Sequence, residues 1–192
     1  MANEIKLPTT EVQIPEGLNL ITLGAGCFWC IEAIFQRLQG VEKVISGYSG
    51  GFIANPAYGA ICSGTTGHAE VIQVYYDPSI LKLSELLEVF WATHDPTTLN
   101  RQGADVGPQY RSSIFFHSPE QKKLATTIMI QLNDSKVFDD PIVTEITAFT
   151  NFYPAENYHQ DYYNQNDTQP YCQFVIKPKV DKLKKFFAER LK

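Results

Sequence analysis

The chain has 192 residues, 44% of them hydrophobic, with a formal net charge of -5. That length buries a core without disulfide staples, and the mildly acidic balance excludes a general binder of nucleic acid or anionic membrane. No run approaches the roughly 18 apolar residues of a membrane span and no basic segment precedes Leu18–Ala25 as in a secretory signal, so the chain reads as cytoplasmic, where its four cysteines stay reduced unless they do redox work.

Residues 1–16 carry Pro8 and Pro15 and little periodicity. They read as an arm, leaving 17–192 as one domain. Asn19–Gly24 predicts a buried strand through Leu20, Ile21 and Leu23. Gly24 and Gly26 then allow a tight turn, and Phe28–Leu38 follows with helical spacing until Gly40. Val41–Ser49 resumes as a strand. The stretch Gly47–Gly67 is a long polar loop, and long ordered loops are often functional. Ala69–Tyr76 predicts a strand closed by Asp77-Pro78, and Leu83–Thr93 an amphipathic helix. Asp95–Gln109 is a second polar loop. Ser113–Phe116 reads as a strand, Pro119–Leu132 as a helix with proline in its first turn, and Thr144–Phe149 as a strand. Glu156–Asn164 and Pro178–Leu191 predict the last helices, with the basic run Lys177–Lys185 as a solvated face. The order predicts an α/β or α+β fold: a mixed β-sheet flanked by helices.

Gly24-Ala25-Gly26-Cys27-Phe28-Trp29-Cys30 is the most informative stretch. Cys27 falls where a strand ends and a helix begins, facing unpaired N–H groups at a positive helix end. That setting is expected to lower its pKa. Phe28 and Trp29 supply an apolar wall suited to a small, soft group such as a methyl. Three other readings compete with a nucleophile. A free cysteine is commonly a small buried hydrophobe. A Cys-x-x-Cys is half a zinc site, but Cys62 and Cys172 form no second pair, so no metal is expected. A thioredoxin-like dithiol needs the same strand, turn and helix. The local stretch does not separate it from a single nucleophile.

Four further blocks in register separate them. Gly26-Cys27-Phe28-Trp29 is similar to the nucleophile motif of the A-type peptide methionine sulfoxide reductases. Asn55-Pro56-Ala57-Tyr58 leads into Cys62-Ser63-Gly64-Thr65-Thr66-Gly67-His68-Ala69-Glu70. Asp105-Val106-Gly107-Pro108-Gln109-Tyr110-Arg111-Ser112 and Ala155-Glu156-Asn157-Tyr158-His159-Gln160 follow in order. A general dithiol–disulfide oxidoreductase has no reason to carry them. A non-catalytic sulfoxide-binding relative is disfavoured by the intact Cys27, Glu70, Tyr58 and Tyr110.

The resemblance implies a two-layer α/β sandwich that reduces methionine S-sulfoxide, free or in proteins, to methionine. It implies attack by Cys27 and a sulfenic acid intermediate. It implies Glu70 as the acid, raised in pKa by desolvation, and Tyr58 and Tyr110 as hydroxyl donors to the oxygen. Asp105 orients bound water or substrate, and Phe28 and Trp29 hold the methyl. No metal, flavin or nucleotide is implied. His68, His159 and Cys62 read as structural. The chain departs from the family at Cys30, often a glycine there, and in ending without a glycine-rich tail. Cys172, beyond a polar segment, is expected to resolve the sulfenic acid, with Cys30 as the alternative. Thioredoxin or another dithiol would then reduce the disulfide.

Overall fold

The computed structural model describes residues 10–192. In chain order it runs β1 (Asn19–Ala25), α1 (Phe28–Phe35), β2 (Val41–Ser49), α2 (Tyr58–Cys62), β3 (Ala69–Tyr76) and α3 (Leu83–Thr93). A short hairpin follows, β4 (Arg101–Gln102) with β5 (Asp105–Val106), then β6 (Ser112–Phe116), α4 (Pro119–Asp134), β7 (Glu145–Ala148) and β8 (Phe152–Pro154). The chain closes with α5 (Tyr162–Gln165) and α6 (Lys177–Phe186).

Among the described residues, six strands make one mixed sheet, ordered β7-β6-β1-β3-β2-β8. Only β6 and β7 run parallel; the other neighbours are antiparallel. Every residue of β3 is buried, so both faces of the sheet are covered. Side chains alternate between those faces. Ile72, Val74 and Tyr76 join Phe28, Ile31 and Phe35 of α1 in the main core, whereas Ala69 and Val71 pack on the other face with Phe115 and Phe152. The same parity puts Glu70 on the α1 side. A carboxylate thereby reaches the apolar layer next to the start of that helix.

The expected strands and long helices are present, with shifted ends. Three small elements were not read from the sequence: α2, the β4–β5 hairpin and β8. Each is too short to establish a period. The helix expected over Glu156–Asn164 is divided into a 3₁₀ turn, Asn157–His159, and α5. Asp161 between them has φ +54°, a left-handed conformation that no helix continues through. The terminal helix ends at Phe186 and is preceded by a π turn over Cys172–Ile176. Of the expected arm, residues 1–9 lie outside the described residues. Thr10 is tied to the sheet edge, donating to Thr150 O at 2.8 Å and accepting from Phe152 N at 3.0 Å. Among the described residues no helix is long and apolar enough to cross a membrane.

Candidate active site

Cys27 is the N-cap of α1, two residues after β1 ends at Ala25. Gly26 before it has φ +87°, and a Cβ there would lie 2.7 Å from Gln102 Cβ. The glycine thus serves two needs: a left-handed turn and the close approach of the β4–β5 hairpin. That hairpin carries Asp105 to the mouth of the site.

Glu70 meets the same helix start. Its Oε2 accepts the N–H of Phe28 at 3.0 Å. The side chain is 1% exposed, and burial pushes its pKa up to about 8, against the opposing pull of the Phe28 N–H. At neutral pH it is mostly protonated. Tyr58 and Tyr110 stand near it. Burial and then the Glu70 charge push both hydroxyls above their ordinary values, so both remain proton donors. Tyr58 opens α2, where its N–H donates to Glu156 Oε1 at 2.9 Å, while Tyr48 Oη donates to Glu156 Oε2 at 2.8 Å. Glu156 therefore ties the start of α2 to Tyr48 of β2.

The wall beside Cys27 is Trp29. Its ring stacks on Tyr162, centroids 3.7 Å apart and 6° from parallel. Its indole N–H donates to His159 Nδ1 at 3.0 Å. Burial holds the His159 pKa down, which suits an unprotonated Nδ1 acceptor. Phe28 differs from the expectation of a paired methyl wall. It is 1% exposed, in the main core, against Tyr48 and His159. Its ring packs in the main core with Ile31 and Phe35 of the same helix, and its backbone N–H is engaged by Glu70.

Three thiols, Cys27, Cys30 and Cys172, share a second apolar cluster with Ala33, Ile176 and Val180. Burial, followed by the hydrogen bond to Cys30, pushes the Cys27 thiol well above its ordinary value. The resting thiol thus departs from the expected lowering at a helix end: it is 8% exposed in an apolar cluster, and burial is the largest influence on it. The neighbouring Cys27, as hydrogen-bond partner, brings Cys30 down to about 7. Burial pushes Cys172 up. Cys62 is exposed, and all four cysteines are free.

Tyr171 and Tyr162 had no assignment in the sequence reading. Tyr171 Oη donates to Asp105 Oδ2 at 2.9 Å, and lies 3.9 Å from Cys30 Sγ. Its ring meets the edge of Trp29, centroids 5.9 Å apart. Its place directly before Cys172 was the available signal. An apolar cavity of about 580 Å³ lies elsewhere, lined by Trp91, Leu132, Phe138 and Phe187, with none of the thiols in its wall.

A family model described as peptide methionine sulfoxide reductase matches residues 19–191. The chain is 54% identical over 182 residues to peptide methionine sulfoxide reductase MsrA 1 of Rhodopirellula baltica, covering 95% of this chain and 94% of that one. It is 55% identical over 170 residues to the MsrA of Haloquadratum walsbyi, covering 88% and 97%. Among solved structures, reduced Mxr1 of Saccharomyces cerevisiae is similar at a TM-score of 0.78 and 36% identity, over 83% of this chain and 92% of that one. Mxr1 in complex with Trx2 is similar at 0.56 and 28%, over 79% and 89%.

Proposed function

We infer what this site does from the family to which the chain belongs, the peptide methionine sulfoxide reductases. The protein reduces methionine sulfoxide to methionine, and thioredoxin regenerates it. The finer reading takes the S epimer as substrate, free or in proteins, and residues 17–192 as the catalytic unit behind an arm of 1–16. It places the work in the cytoplasm, where a reducing thiol pool keeps four free cysteines available.

One observation carries the residue roles: a buried carboxyl, protonated near neutral pH, bonds the backbone one residue beyond Cys27. Glu70 gives its proton to the sulfoxide oxygen, which makes the sulfur electrophilic. The Cys27 sulfur attacks that sulfur, an S–S bond forms, and the thiol proton replaces the one that Glu70 gave. The S–S and S–O bonds then break as the hydroxyl passes to the Cys27 sulfur, so methionine leaves and Cys27 is left as a sulfenic acid. Two electrons pass from the thiol to the sulfoxide. Tyr58 and Tyr110 hydroxyls stabilise the charge that develops on oxygen. Trp29 meets the methyl, with Phe28 supporting from the core. Asp105 orients water or the substrate backbone, once its bond from Tyr171 is exchanged. The Cys172 thiol then condenses with the sulfenic acid, releasing water and forming a disulfide. A thioredoxin dithiol reduces it by exchange.

The test is dithiol-dependent reduction of each sulfoxide epimer in a short peptide. Turnover of the S epimer alone is expected. Reduction of insulin disulfides without any sulfoxide turnover would favour a general dithiol–disulfide oxidoreductase instead.

A further inference from the structure

Glu32 lies on α1, three positions after Trp29, and is 2% exposed. None of the steps above uses it. A buried carboxylate is an expensive choice where an apolar side chain would pack, so its partners matter. Both are backbone donors on another element. Oε1 accepts the N–H of Asp161 at 2.9 Å and Oε2 that of Tyr162 at 3.3 Å. These N–H groups belong to the start of α5, where helix donors lack intrahelical partners. The Asp161 side chain caps nothing there, and its backbone is left-handed at φ +54°. Glu32 does from α1 what a local cap would do.

The residue so fixed is Tyr162, whose ring stacks on Trp29. The three residues close a circuit. Trp29 and Glu32 are joined by one turn of α1, Glu32 and Tyr162 by the backbone bond, and Tyr162 and Trp29 by the stack. Arg37, just beyond the C-terminal end of α1, adds a second tie, donating to Asn164 Oδ1 at 2.7 Å. His159 holds the indole N–H, which sets the ring's tilt, and the Tyr162 stack sets its plane.

We propose that Glu32 is a positioning residue for substrate binding, which holds the Trp29 wall in place by anchoring the start of α5 under Tyr162. The proposal rests on the reading of Trp29 as the wall that the sulfoxide's methyl meets. Its loss loosens the binding wall while leaving Cys27, Glu70 and the hydroxyl donors where they are. Binding therefore suffers more than the chemical step.

The test uses Glu32→Gln, which keeps the volume but replaces one acceptor by a donor facing an N–H. A Trp91→Phe background leaves Trp29 as the sole tryptophan, since the chain has two. Single-turnover reduction of a sulfoxide peptide gives a half-saturating concentration and a maximal rate. Half-saturation is expected to rise about tenfold, with the maximal rate changed less than about threefold. Acrylamide quenching of Trp29 in the substrate-free protein should increase. Tyr162→Ala, with Glu32 intact, should reproduce both effects, and Glu32→Asp, too short to reach both N–H groups, takes the place of Glu32→Gln if that variant does not fold. Unchanged half-saturation and quenching in the folded variants would overturn the proposal, as would a loss confined to the maximal rate. If the parent protein reduces no sulfoxide, the functional reading fails. Quenching still judges the anchor on its own.

Discussion

The Glu70 carboxylate and the Phe28 backbone N–H are bonded at 3.0 Å, which couples the acid to the residue that follows the nucleophile. An acid in that place must be neutral before it can donate, and burial lifts it from an ordinary 4.5 to about 8. Glu70→Gln keeps the shape but cannot supply an acidic proton. The rate of sulfenic acid formation is expected to fall by roughly 10²-fold or more. In the parent, that rate should decline as pH rises through about 8, and this limb should be missing from the variant. Stopped-flow measurement of the first turnover across pH checks both, and a retained limb would assign it to another group.

The same shift has a consequence for stability. A carboxyl whose folded pKa is raised contributes stability that is fully present below its unfolded value and lost as pH rises through the folded one. For Glu70 the window runs from 4.5 to about 8. Glu70→Gln should therefore unfold at a higher temperature than the parent at pH 9, relative to the difference at pH 5. Thermal unfolding at the two pH values reads it, and the opposite trend would show that Glu70 is ionised in the folded protein.

Gly26 is the backbone hinge of the site. At φ +87°, with a Cβ destined to lie 2.7 Å from Gln102 Cβ, an alanine there meets both strain and a neighbour that is not a side-chain tip. Gly26→Ala should cost about 1–3 kcal/mol and push the β4–β5 hairpin, with Asp105, away from Cys27. Urea unfolding measures the first effect and first-turnover rate the second. A variant with parental stability would mean that the hairpin yields freely.

Cys27 and Cys62 form an internal control. Cys27→Ser should abolish turnover, since a hydroxyl is far less nucleophilic at neutral pH. Cys62 is exposed and stands in none of the steps, so Cys62→Ser should keep the first-turnover rate within about twofold. Substantial reduction by Cys27→Ser would displace the nucleophile.

How far the sequence could be read follows from period and reach. The alternation in Ala69–Tyr76 marks β3, and the helical spacing of Leu83–Thr93 marks α3; both are present with those bounds. The glycine turn before Cys27 was legible because Gly and Cys stand side by side in the chain. The acid was legible only through family resemblance, since nothing local distinguishes Glu70 from an exposed strand-end carboxylate. Sheet pairing decides its fate: parity on β3 turns it inward. The resting pKa of Cys27 could not be read, because it depends on Ile176 and Val180, which are remote in sequence. Tyr162 and Tyr171 were two tyrosines among ten, and only folding brings them to Trp29.

The resolving thiol is the sharpest remaining prediction. Cys30 and Cys172 lie in one apolar cluster with Cys27. Cys30 is one turn into α1, and a disulfide from it to the N-cap would keep the helix and leave the product as buried as the reactants. Cys172 opens a π turn, a geometry that returns to regular helix by a small local shift and recurs at functional sites. Tyr171, immediately before it, is held by Asp105, a bond that substrate entry would exchange. Release of Tyr171 would free the strand of chain that carries Cys172 just when the sulfenic acid has formed. Mass spectrometry after one turnover without reductant should then find a Cys27–Cys172 linkage. Cys172→Ser should slow thioredoxin-supported turnover by roughly 10-fold or more, with the first turnover unaffected. Tyr171→Phe, which removes the bond to Asp105, should speed disulfide formation without changing its partners. A Cys27–Cys30 linkage in the parent, with Cys172→Ser fully active on thioredoxin, would transfer the resolving role to Cys30.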